Sequence, residues 1–303
     1  MVKHLFSGNI PRPFRDENCY SILCRYAVRR GLMSSSQICI DLFGHNEPLK
    51  GYLFKPFRMK DLGWWYRDED FARPEYGACH SSYQFYSVFL GSAYAEMMRE
   101  SHSGSIMTPG QAKRINRECG FTRSHKQNLW YCPECVKDDF TRYGETCWRR
   151  LPQMPGAEYC PVHGVMLRES GVQVSDINYQ ILPATYALIH FPESEPSGGN
   201  VYAARYMGLA ADIAWLLENG YSIAGREWVS RSFIKAVGHP IHENLFYTLS
   251  NNMDRKNRFE DYLVARILRE CGKNKITPEI SRQLGMILSI EETFGSLEAF
   301  CRA

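Results

Sequence analysis

Two short knuckles carry the residue types most able to do chemistry in this chain. They lie in YCPECVKDDFTRYGETCWRRLPQMPGAEYCPVHG, residues 131–164. Cys132 and Cys135 are separated by two residues, Cys160 and His163 by two more, and 24 residues lie between the knuckles. That spacing lets each tight turn aim both side chains at one ion. Two knuckles then complete a tetrahedral Cys3His site of the structural zinc type. Pro133 and Pro161 occupy equivalent places and pre-set the two turns. Cys147 is the main rival ligand and reads as packed beside Trp148, while His125 is a weaker rival. Cys79 and His80 are adjacent rather than spaced as a ligand pair.

With four protein ligands such an ion has no open position, so it cannot activate water for hydrolysis. Three thiolates and a dication sum to minus one, so the ion itself does not attract phosphate. Between residues 111 and 150 there are nine Lys/Arg and five Asp/Glu, a local excess of four. Lys137, Arg142, Arg149 and Arg150 either offset the negative site or form a basic face for nucleic acid or an acidic partner. Asp138, Asp139 and Glu145 suggest a two-metal nuclease only weakly, because no strand context aims them. There is no G-x-x-x-x-G-K-[ST], H-E-x-x-H or G-x-S-x-G. A binding protein rather than an enzyme is expected.

The chain around this segment has 303 residues, 44% hydrophobic and 23% charged, enough for two or three compact units. A net charge of +3 is too mild to establish nucleic-acid binding, so any basic footprint must be local. Eleven cysteines without an export signal at the start point to metal ligation rather than disulfides. Cys19, Cys24 and Cys39 read as small hydrophobes in helices. The most apolar run, YMGLAADIAWLL, is interrupted by Asp212 and reads as a core helix, not a membrane span. A soluble cytoplasmic protein with no membrane partner is the expectation.

The elements that must position these residues read as mainly α with a small zinc-ribbon-like unit. Tyr20, Ile22, Leu23, Tyr26 and Ala27 share one helical face, with Arg25, Arg29 and Arg30 largely outside it. Gly31 ends that helix, and Ser34 with Gln37 forms a capping box for the next. Helix, glycine turn and helix outline a helix-turn-helix. Trp64, Trp65, Tyr66, Phe71, Tyr76, Tyr83, Phe85 and Tyr86 read as packing on these helices or as a protein-binding surface. Strand-like pieces follow in LRESGVQVSDINYQILPATYALIHF, and PESEPSGGN, residues 192–200, reads as a linker. Helices are expected to end at Gly220 and Gly238. A second helix-turn-helix-like pair breaks at Gly272 and restarts at Thr277, with Pro278 at the first helical position. The expected division is 1–110, a helical domain containing the helix-turn-helix; 111–170, the zinc module; and 171–303, a C-terminal helical domain.

The stretches YCPECVKDDFTRYGETCWRR and LPQMPGAEYCPVHGVML, with PRPFRDENCYSILCRYAVRRGL at the start, resemble the TniQ/TnsD family of transposition target-site selection proteins. The resemblance covers roughly residues 10–45 and 125–168, and more loosely the late helices. It implies Cys132, Cys135, Cys160 and His163 as zinc ligands and the first helices as a helix-turn-helix. It also implies a bacterial adaptor without catalysis, nucleoid-associated when active. Such an adaptor contacts target DNA or a CRISPR RNA-guided effector complex and recruits the AAA+ ATPase TnsC, with a homodimer left open. Many members carry a second cysteine cluster, whereas here no cysteine follows His163 until Cys271, so one zinc is expected. Arg25, Arg29, Arg30, Arg142, Arg149 and Arg150 are the candidate nucleic-acid or partner contacts. The alternative is a stand-alone, sequence-specific DNA-binding protein of the transcription-factor kind.

Overall fold

The computed structural model describes residues 10–46, 49–54, 80–102, 109–118, 126–178, 180–189, 201–220, 223–243, 258–272 and 276–303. Helix α1, Cys19–Arg30, starts where the Asn18 side chain accepts the Ser21 amide. It stops at Gly31, whose φ of 67° places it in the left-handed region that glycine tolerates. Helix α2, Ser35–Phe43, has the expected capping box: Ser34 accepts the Gln37 amide and Gln37 returns to the Ser34 amide. A 3-10 turn, Leu49–Leu53, packs against α1.

Three helices follow: α3 at Tyr83–Ser87, α4 at Ser92–His102 and α5 at Pro109–Glu118. Tyr83, Phe85 and Tyr86 are buried, which supports packing for these three. Trp64, Trp65, Tyr66, Phe71, Tyr76 and Cys79 lie outside the described residues, as do His125 and residues 192–200. Strand β1, Asn128–Tyr131, pairs antiparallel with β2, Arg168–Gln173, with Trp130 opposite Glu169 and Tyr131 opposite Arg168. Between them lie α6, Pro133–Tyr143, and a 3-10 turn at Leu151–Gln153.

The C-terminal part is helical: α7 at Ala184–Ala187, α8 at Ala203–Asn219, α9 at Arg226–Val237, α10 at Arg258–Glu270, α11 at Pro278–Phe294 and α12 at Leu297–Arg302. Thr277 caps α11 by accepting the Ile280 amide, with Pro278 next to it, as the sequence pattern predicts. Helix α8 packs against α3, α11 and α12. Its last turn comes so close to α3 that a Cβ on Gly220 would lie 2.3 Å from the Gln84 carbonyl oxygen. Asp212, the residue that interrupts the apolar run, is only 4% exposed and accepts the Leu297 amide at 3.0 Å. It therefore satisfies an amide in the first turn of α12 that the helix itself cannot pair. No helix among the described residues is long and apolar enough to cross a membrane.

One apolar cluster runs from Cys19 in α1 through Trp148 and Tyr159 to Phe300 in α12. The N-terminal segment is stitched to residues 148–150 along its backbone. The Asn18 amide donates to the Trp148 carbonyl at 2.9 Å, and the Arg150 amide donates to the Asp16 carbonyl at 2.8 Å. Trp148 is fully buried and its indole N–H reaches the Leu182 carbonyl at 2.8 Å, so the ring is both packed and satisfied.

Candidate metal centre and its surroundings

β1 delivers the chain directly to Cys132, the N-cap of α6. The Cys135 amide donates to the Cys132 Sγ at 3.4 Å, and Pro133 fixes the first helical position. Both thiols thus sit at a helix N-terminus, where exposed amides and the helix dipole favour thiolate. The second knuckle is a backbone turn. The Cys160 amide donates to the Val165 carbonyl at 2.9 Å, and the Gly164 amide donates to the Cys160 carbonyl at 2.8 Å. Gly164 closes this turn at φ 65°, a value the glycine makes inexpensive.

The four ligand atoms lie within 4.8 Å of one another, and they form the only such Cys/His/carboxylate group among the described residues. Nδ1 of His163 stands 3.6 Å from the sulfur of Cys132, 3.4 Å from Cys135 and 3.6 Å from Cys160. The Cys135 and Cys160 sulfurs are 3.8 Å apart. A tetrahedral ion at zinc–sulfur and zinc–nitrogen bond lengths would give edges of about 3.8 Å between sulfurs and about 3.6 Å from sulfur to nitrogen. The residues therefore fit such an ion in both type and spacing. Hydrogen bonds from the neighbouring thiols Cys132 and Cys135 pull the Cys160 thiol down to about 2. Cys135 is driven far upward by hydrogen bonding with Cys132 and Cys160 and by burial. A dication is the group that would let all three sulfurs carry charge together.

The outer ring nitrogen of His163 faces a carboxylate: Nε2 lies 3.2 Å from Asp138 Oδ2. A carboxylate behind a ligating histidine fixes its ring and its tautomer. Cys147 is buried and lies outside the ligand group, its thiol pushed well up by desolvation. His80 is 2.8 Å through Nδ1 from the Glu17 carbonyl, a structural contact inside the fold.

The three carboxylates weighed for nuclease chemistry have other partners. Asp138 faces His163. Asp139 is held by both Arg149 nitrogens at 2.7 and 2.8 Å, and Glu145 by Arg25 and Arg29 at 2.8 and 2.9 Å.

The six arginines singled out from the sequence fall into two groups. Arg25 does not lie outside the apolar face of α1: it is 5% exposed. Its guanidinium bonds Glu17 at 2.7 Å and Glu145 at 2.8 Å, and lies 4.2 Å over the Phe14 ring. Arg150 is also buried, bonding Asp16 at 2.8 Å and the carbonyls of Ser81 and Leu217 at 3.0 and 2.9 Å. Arg149 is mostly covered in its fork with Asp139. Arg25 and Arg150 clamp the N-terminal segment, the metal module and the helical part together, while Arg149 braces the module internally. Arg29 is half-exposed, Arg30 pairs with Asp41 at 3.4 Å, and Arg142 is exposed with no carboxylate partner among the described residues.

Sequence reasoning missed Asp16 and Glu17 as the acids of this clamp. Glu17 is fully buried, and desolvation lifts its carboxyl to about 7 even with Arg25 beside it. The one available signal was a pair of acids immediately before a helix cap. Their arginine partners lie as far as 134 residues away along the chain.

The TniQ family model matches residues 9–167. That span contains the α1–α2 pair, the clamp and both knuckles. The transposon Tn7 transposition protein TnsD of Escherichia coli is 26% identical over 219 residues, 69% of this chain and 40% of that protein. The chain thus spans less than half the length of this relative. With all four ligand positions and the Asp16–Arg150 and Glu17–Arg25 pairs inside a match that covers more than half of the sequence, the chain belongs to the TniQ family.

Proposed function

We propose that this protein selects target sites for DNA transposition. In this reading it is an adaptor that links target DNA, or a CRISPR RNA-guided effector complex, to the AAA+ regulator TnsC. The family match over residues 9–167 is the observation that carries the reading, and the likeness to the Tn7 protein agrees with it. Its mechanism is binding. One structural zinc, held by Cys132, Cys135, Cys160 and His163, supplies a fixed knot rather than a reaction centre, because four protein ligands leave no position for water. Asp138 orients His163, and α6 and the second knuckle are locked to each other. The Arg25–Glu145 and Arg150–Asp16 pairs, with the Arg150 bond to the Leu217 carbonyl, then transmit that rigidity to the helical parts on either side. This supports the three-part division at 110 and 170, with the knot setting the pose of the flanking parts.

Pull-down of the purified chain with TnsC tests the reading, together with site-directed insertion in a reconstituted transposition reaction. Binding that depends on the bound metal is expected. No association with TnsC or with any target complex overturns it. Salt-resistant, sequence-selective binding of the isolated chain to DNA would favour the stand-alone DNA-binding alternative. Cleavage of DNA by the purified protein with Mg2+ or Mn2+ would show an activity the adaptor reading excludes.

A further inference from the structure

Arg25, Arg149 and Arg150 bond within the protein, whereas another set of cations faces outward. On α5, Lys113, Arg114 and Arg117 are exposed while Ile115 is buried and holds the helix to the core. The Arg114 guanidinium lies 5.3 Å from the centre of the Tyr94 ring on α4. Tyr94 in turn borders α9. A Cβ on Gly91 would come within 3.8 Å of Tyr94 and 3.3 Å of the Glu227 carboxylate. On α9, Arg231 and Lys235 are exposed and one helical turn apart, hence about 6 Å apart on one face. Arg226 stands at the start of the same helix.

Between α4 and α9 lies an open hollow of about 600 Å³ lined by Ser92, Ala93, Arg226, Glu227, Ser230 and Arg231. Its acids are engaged. Glu227 accepts the Ser92 amide and hydroxyl at 2.6 and 2.8 Å, and Glu243 accepts the Ser230 hydroxyl at 3.0 Å. Glu96 is an exposed acid of α4. By sequence, α4, α5 and α9 together with Glu243 carry seven Lys/Arg against five Glu, an excess of two. Lys113, Arg117 and Lys235 have no carboxylate partner among the described residues.

We infer that this ridge, built by α5, the start of α4 and α9, docks the phosphate backbone of duplex DNA. The choice of DNA rests on the targeting function proposed above. The choice of duplex rests on composition: the outward groups are mainly Lys, Arg and Ser, with Glu96, Glu227 and Ile234 among them and no fully exposed aromatic. The exposed large aromatics of the described chain, Tyr143, Tyr186 and Tyr262, lie on other elements. Single strands and RNA loops are gripped by stacking on open aromatic faces, whereas the ridge's Tyr94 is half-buried with the Arg114 guanidinium against its ring and Trp228 is packed against Phe300. Backbone contacts carry no sequence code, so the ridge supplies affinity and orientation rather than site choice.

The test is fluorescence anisotropy with the full chain and a duplex of arbitrary sequence, about 30 base pairs long, between about 50 and 200 mM salt. The ridge variant combines Lys113→Gln, Arg117→Gln, Arg231→Gln and Lys235→Gln, all at exposed positions. Arg29→Gln/Arg142→Gln is the control. The ridge variant should bind at least about tenfold more weakly at the lower salt, with a salt slope smaller by about 3, while the control is unchanged. Unchanged metal content and melting temperature show that both variants fold. Equal affinity and slope for ridge variant and parent overturn the inference. So does no binding by the parent, a loss confined to the control, or preference for an RNA hairpin of the same length over the duplex. The TnsC pull-down separates the two ideas. Retained TnsC binding without a ridge effect sinks the ridge alone, and ridge-dependent DNA binding without TnsC sinks the adaptor reading alone.

Discussion

The metal knot and the helical part after it are built on opposite principles. The knot, residues 126–174, has one two-stranded sheet, one helix of eleven residues and two knuckles. Besides the apolar cluster that passes through Trp148 and Tyr159, buried polar contacts join it to its neighbours: Arg25 to Glu145, Arg150 to Asp16, and Lys126 to Glu270 at 3.4 Å. The part formed by α8 to α12 is held by apolar side chains such as Leu209, Ile213, Leu284 and Ile287, all nearly or fully buried. A polar, metal-centred knot fixes directions sharply but fails once a partner is missing. An apolar bundle loses stability in proportion to what is removed.

The largest expected effect is therefore at the metal. Cys132→Ser should abolish stoichiometric metal binding and unfold the knot, because the binding energy of a structural zinc, on the order of 10 kcal/mol, is also folding energy. Metal analysis by mass spectrometry and hydrogen exchange check this together. Exchange protection should vanish across residues 126–174 and persist in α8 and α11. Loss of protection everywhere would mean that the two regions are one cooperative unit, and the contrast would collapse.

Next is the Arg149 brace. Arg149→Ala leaves the Asp139 carboxylate, 5% exposed in its side chain, without its bidentate partner. Removing one member of a buried pair costs about 3–5 kcal/mol. Leu284→Ala, in the bundle, should cost about 2–5 kcal/mol through the cavity it opens. Denaturant melts of the metal-loaded protein measure both. The comparison sharpens if Arg149→Ala and Asp139→Ala together cost much less than the sum of the two single changes, as expected of a directly coupled pair, while Leu284→Ala adds independently to either.

The two regions also differed in how far they could be read in advance. The bundle was legible from local signals: Gly220 and Gly238 at helix ends, Thr277–Pro278 at a start, Asp212 as a core interruption. The same held for the Ser34–Gln37 box and for the grouping of Cys132, Cys135, Cys160 and His163 into a cluster that could hold a metal, because two-residue spacing is a local property of the chain. What could not be read was which arginines face water. Arg25 and Arg29 stand one helical turn apart on α1, yet only Arg25 is buried against Glu17. Pairings across more than a hundred residues, Arg25 with Glu145 and Arg150 with Asp16, leave no periodicity in the sequence, so these two looked like surface cations and turned out to be interior ones.

Even the bundle has a polar exception, and it gives the smallest expected effect. Asp212 is buried between α8 and α12, and desolvation lifts its carboxyl to about 6, with the Leu297 amide pulling the other way. Nearby Glu291 is lifted to about 7, by burial first and by the Asp212 charge second, and Arg205 is the cation that faces it. The folded protein therefore holds a proton on Asp212 more tightly than the unfolded chain does. The contribution of Asp212 to stability is greatest below the ordinary carboxylate range and falls as pH rises through about 6. Asp212→Asn keeps an oxygen for the Leu297 amide and removes the charge. Its melting temperature should match the parent at acid pH and exceed it above pH 6, a gain on the order of 1–2 kcal/mol. A residual slope from Glu291 should survive in the variant. If the variant instead falls below the parent at neutral pH, the charged carboxylate stabilises the α8–α12 contact, and the bundle relies on ionic partners just as the knot does.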